Sequence, residues 1–206
     1  MGLGPLAFVA LALGAAAWAS KASASPSSSS SSSSAASFRA ALLERARYDL
    51  GGRVVETGPN DGPIVRQYLA AVGLGPGQAW SAAAAWVWLH DAALRVAPGV
   101  LERFPRTGSP AALGEAAKRA GLWLPVAAVR AGAELPEPGS VAIWEHHAGL
   151  VEDWWLYTMG ERGRADTRQE RWFHALEADG GTQGDRVTRI DRPLADPGLL
   201  GFVVFR

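Results

Sequence analysis

The chain has 206 residues, 48% of them apolar, which is room and material for one ordinary domain with appendages. Twenty basic residues offset twenty acidic ones, so nothing electrostatic points to nucleic acid or to an anionic membrane surface. The absence of cysteine removes disulfides, thiolate metal sites and thiol catalysis together.

Leu3 to Ala19 carries no charge, and its length of about 17 residues is at the lower limit for spanning a bilayer. Ala17-Trp18-Ala19 fits a small-x-small cleavage pattern, although no Lys or Arg precedes the apolar run. Residues 1–20 therefore read as an export signal or an N-terminal membrane anchor, and the protein as exported to the periplasm, envelope or medium. Membrane contact is expected through this segment only. Residues 21–37 follow as a Ser-rich linker with consecutive serines from Ser27 to Ser34. Such a tract has too little apolar surface to fold and is expected to be a flexible tether. The folded domain is expected over residues 38–206.

Phe38 to Leu50 patterns as an amphipathic helix closed by Gly51-Gly52. After a turn at Gly58-Pro59-Asn60-Asp61-Gly62, Pro63 suits the first position of a helix reaching Val72. A third helix runs from Ser81 to Val96. Trp86 and Trp88 lie about 200° apart on it, so one core cannot take both. A fourth begins with Ser109 as cap and Pro110 inside it, and ends before Gly121.

Beyond Pro138-Gly139 the texture becomes strand-like: 140–145, 148–153, 155–159, 186–190 and 199–205. The segment from Gly160 to Gly184 reads as a charged, irregular loop. Helices first and strands second predict an α+β fold, with N-terminal helices packed on a small antiparallel sheet or a partly closed barrel.

Two features carry chemistry. Ser81 opens a helix, where unpaired amides and the positive dipole end favour a developing anion. His147 stands at a strand start, a suitable place for a proton acceptor. Adjacent strand residues face opposite ways, so His146 and His147 cannot both serve. Taken alone, Ser81 equally fits a plain cap or first-turn serine. Asn60 and Asp61 fit turn chemistry. No acidic cluster at ligand spacing supports a metal, and no phosphate loop is present, so neither metal nor cofactor is expected.

The order Glu56-Thr57-Gly58-Pro59-Asn60-Asp61-Gly62-Pro63, Tyr68-Leu69, Gly77, Trp80-Ser81-Ala82-Ala83 resembles the first half of bacterial CHAP domains, relatives of the NlpC family. Pro138-Gly139-Ser140-Val141, His147-Ala148-Gly149-Leu150-Val151-Glu152 and Leu200-Gly201-Phe202-Val203 resemble their later strands. Trp80-Ser81-Ala82-Ala83 more closely resembles a branch with Ser in the seat of the nucleophilic Cys. The resemblance implies a papain-like fold and amide hydrolysis in peptidoglycan, or in another peptide-like wall substrate. It puts Ser81 at the nucleophile position, His147 as general base and Glu161 near the third position. Trp80, Gln78 and Asn60 would border the substrate. The alternative it leaves is an inactive wall-binding or scaffold domain that keeps the cleft without the chemistry.

Overall fold

The computed structural model describes residues 29–159, 168–180 and 184–206, with an α+β architecture. The N-terminal segment 1–20 and Glu161 lie outside the described residues. Among the described residues no helix is long and apolar enough to cross a membrane.

Helix α1 spans Ser29–Asp49, so it begins inside the serine tract instead of at Phe38. Its anchored part is the expected one: Phe38, Ala41, Leu42 and Ala46 are buried. A helix already nucleated by such packing extends backwards cheaply, because serine costs at most about 0.7 kcal/mol per residue against alanine. Ala35 also gains cover on the way. The linker expected over 21–37 is thus helical from Ser29 onward.

Helix α2 spans Pro63–Ala71, α3 Ser81–Val96 and α4 Pro110–Arg119, with a 3₁₀ turn at Pro98–Arg103 between the last two. The hydroxyl of Ser109 caps α4 by accepting from the Ala112 amide at 3.3 Å. Helix α3 is buried on nearly every side over Ser81 to Leu89, which is how it accommodates two opposed tryptophans. Trp88 donates to Asp49 of α1 at 2.7 Å, while Trp86 stacks on His90 at 4.9 Å. Asp49 also accepts from Tyr68 of α2 and from Arg45 at 2.8 Å, so one buried carboxylate ties three helices.

Six strands form one antiparallel sheet: β1 Trp123–Pro125, β2 Val141–Trp144, β3 Ala148–Met159, β4 Arg168–Gly180, β5 Arg186–Pro193 and β6 Leu199–Val203. A short helix α5, Val126–Arg130, follows β1. The order is β1-β6-β2-β3-β4-β5, and the two edge strands do not meet, so the sheet stays open where a partly closed barrel was an alternative. Two short strands expected over 148–159 are one continuous β3. The expected loop contains β4.

Both faces of the sheet are covered. Val141, Ile143, Leu150, Leu176 and Val203 join the large core under the helices. Their neighbours Ala142, Trp144, Val151, Ala175 and Phe202 join a second core with Val126 and Val129 of α5, as strand alternation requires. Helix α3 packs against β3, the strand that His147 precedes, and against β4.

Candidate functional site

Ser81 is the first residue of α3, with Trp80 in the cap position. It is 2% exposed, and its hydroxyl has no hydrogen-bond partner among the described residues. The first helical bond is from the Ala84 amide to the Trp80 carbonyl at 2.8 Å. Among the described residues the amides of Ser81, Ala82 and Ala83 have no hydrogen-bond partner. Here the hydroxyl and the first amides of the helix are all left without hydrogen-bond partners among the described residues.

Trp80 serves the scaffold. It is wholly buried. Its indole N–H donates to Glu56 at 2.7 Å. The second oxygen of Glu56 accepts the Asn60 amide at 2.8 Å. Asn60 takes the left-handed conformation, φ 50°, and its carbonyl accepts from the Gly77 amide at 3.0 Å. Asparagine tolerates that conformation because its short polar side chain can bond locally. Asn60 therefore builds the turn, and it also lines an open groove of about 510 Å³ with Glu56, Thr57, Asp179 and Asp185. Gln78 is exposed beside the helix start. Asp61 is occupied by Arg66 at 2.5 Å and by the Gly62 amide.

His147 follows a tight β2–β3 connection in which the Trp144 amide donates to the His147 carbonyl at 2.9 Å. Its neighbour His146 is exposed and weakly paired with Glu145 at 3.5 Å. The His147 ring packs on Trp144 at 5.6 Å and stays 22% exposed. Its Nε2 lies 2.8 Å from Oε2 of Glu177 on β4. Glu177 is 0% exposed, and Arg192 of β5 holds it with two bonds of 2.7 Å. Burial pushes the Glu177 carboxyl up, but the bonds from Arg192 and His147 outweigh it and hold the carboxyl below its usual range. An ionised carboxylate only accepts, so Nε2 carries the proton and Nδ1 offers its lone pair.

Glu177 is the residue the sequence reading missed. Gly149 directly opposes it across β3 and β4, and a Cβ there would come within 2.7 Å of the Glu177 side chain. Glycine in a strand marks such a close approach, so Gly149 was a usable signal. The run Trp172-Phe173-His174-Ala175-Leu176 was another.

Asp179, two residues further along β4, sits within electrostatic reach of both Glu56 and His147, so it joins the Trp80 end of the groove to the histidine. Burial, and then the negative charge of Glu56, push its carboxyl up to about 6, against a lowering pull from His147. No hydrogen bond joins the Ser81 hydroxyl to the His147 ring among the described residues. The structure brings together His147, Glu177, Arg192 and Asp179, and it borders them with Glu56, Asn60 and the start of α3.

The chain matches no protein-family model, no curated protein and no solved structure.

Proposed function

We propose that this chain is an exported hydrolase of amide bonds in peptidoglycan, built on a papain-like version of the α+β fold. Ser81 is the nucleophile, His147 the general base and Glu177 the residue that orients it. The observation that carries this reading is the His147–Glu177 bond of 2.8 Å, taken with Ser81 as the first residue of α3. The wall substrate comes from the family resemblance of the flanking motifs and from the apolar N-terminal segment.

The chemistry follows from these groups. Serine, unlike a thiol, does not ionise in advance, so its proton must leave as the oxygen attacks. Nδ1 of His147 takes that proton while Oγ bonds to the amide carbon. The carbonyl oxygen gains negative charge, which the Ser81 and neighbouring amides of α3 receive. His147 then protonates the departing amine, and Glu177 stabilises the transient imidazolium without accepting its proton. Water repeats the sequence on the acyl-serine. In the resting chain the serine hydroxyl and the ring are not bonded, and such bonds commonly tighten only when substrate is present.

One observation favours a second reading. A serine 2% exposed with no partner also suits a wall-binding domain that has lost the chemistry. The full chain, Ser81→Ala and Ser81→Cys, each incubated with purified sacculi, separate the two. New amine termini released by the parent and lost in Ser81→Ala support the serine enzyme. Release by Ser81→Cys alone marks a lapsed thiol site. Equal sedimentation of parent and Ser81→Ala, with no cleavage by either, supports the binding domain.

A further inference from the structure

Arg192 is two hydrogen bonds from His147 through Glu177, and among the described residues no hydrogen bond joins it to Ser81 or His147. Its Nε donates to Oε1 of Glu177 and its Nη2 to Oε2, both at 2.7 Å, and Oε2 is the oxygen that also meets His147. The guanidinium is fixed from behind. It lies over the Trp144 ring at 5.3 Å, with Asp196 at 3.9 Å, and Trp144 donates to the same Asp196 at 3.0 Å. Trp144 in turn packs on the His147 ring. The frame is therefore closed: Arg192 holds Glu177, Glu177 holds His147, and Trp144 packs on both ends.

We propose that Arg192 is a positioning residue that sets the tautomer of His147 by keeping Glu177 ionised. A wholly buried carboxylate without a cation is driven to take up a proton. A protonated Glu177 would donate to Nε2 in place of accepting from it. The ring proton would then reside on Nδ1, the nitrogen that has to receive the serine proton, and the base would be lost. The net change is one proton taken from solvent onto Glu177 and one ring proton moved from Nε2 to Nδ1. Asp179 of β4, within electrostatic reach of the ring, and Glu56 beyond it are both acidic. Neither can replace Arg192 as the counter-charge of Glu177. The consequence for catalysis rests on the hydrolase reading above, whereas the tautomer does not.

The test is long-range nitrogen–proton NMR of the His147 imidazole in the full chain at about pH 7.5, where an ordinary histidine ring is mostly neutral and a buried carboxyl without a cation can hold a proton. The parent is expected to show the proton on Nε2, Arg192→Met on Nδ1, and Arg192→Lys, which keeps the charge, on Nε2. Where Arg192→Met does not fold, Arg192→Gln carries the same expectation. On sacculi, Arg192→Met should lose about 10²-fold or more, with Arg192→Lys recovering most of the activity. An Nε2 proton retained in folded Arg192→Met or Arg192→Gln overturns the proposal. A tautomer switch in a chain that never cleaves sacculi upholds Arg192 and sinks the hydrolase instead.

Discussion

Asp49 in the helical layer and Glu177 in the sheet are both buried carboxylates ringed by donors, and they are put to different uses. Asp49 accepts from Trp88, Tyr68 and Arg45, and every one of those side chains ends within the scaffold. Arg45 spends its other bonds on Tyr68 and Asp91. Polarity arriving at Asp49 goes no further. Glu177 accepts from Arg192 and from His147, and His147 has a second ring nitrogen. One carboxylate closes a network and the other hands it on. Burial of a charge is therefore no mark of a site by itself, since structural ion pairs bury charges too. The mark is a buried carboxylate that fixes a partner with a second, unspent working atom. Glu152 belongs with Asp49, because its partners Arg47 and Arg189 only pin α1 to the sheet.

Substituting the two acids is the direct way to break this contrast. Glu177→Gln should lower activity on sacculi by roughly 10²- to 10⁴-fold, since the amide can leave the imidazole in the wrong tautomer. Its stability loss should be smaller, because Arg192 keeps 30% of its side chain in solvent and is not stranded. Asp49→Ala should do the reverse. Urea unfolding is expected to show a loss of about 3 kcal/mol, from orphaned donors of three helices, while each folded molecule keeps its activity. Matching losses of activity and stability in the two variants would dissolve the distinction.

A smaller effect sharpens it. Asp179, with its carboxyl near 6 against an ordinary 3.8, binds its proton more tightly folded than unfolded. Stability therefore falls as pH rises from about 4 to about 6, and the charged form carries a cost at neutral pH. Asparagine removes that charge and accepts the left-handed backbone of this position, φ 58°. Asp179→Asn should gain about 1 kcal/mol in urea unfolding at about pH 7, after discounting for solvent, and nothing below about pH 4. An equal gain at both pH values would point to backbone fit and away from the charge.

The helical half was legible because its signals are local. Gly51-Gly52, Pro63 and the Ser109-Pro110 pair punctuate the chain, and α3 takes the span from Ser81 to Val96 that its apolar run predicts. Strand β4 was not legible for a physical reason. Arg168, Glu170 and Arg171 dilute its outer end, and Glu177 interrupts its buried end with a charge. That charge is tolerated only because Arg192 arrives from β5, a contact made by folding. The resemblance puts the third position near Glu161, which lies outside the described residues; the residue bonded to His147 is Glu177. The serine tract misled in the other direction. Composition argued for a tether, yet α1, packed through Phe38 and Leu42, extends back to Ser29.

Ser81 as a working nucleophile can be tested without knowing the bond cleaved. The full chain is exposed to a serine-directed fluorophosphonate and its intact mass and peptides are read. The account predicts one covalent adduct, located on Ser81, and its loss in His147→Ala and in Glu177→Gln. An unmodified parent, or an adduct on Ser81 that forms equally fast without His147, would contradict it.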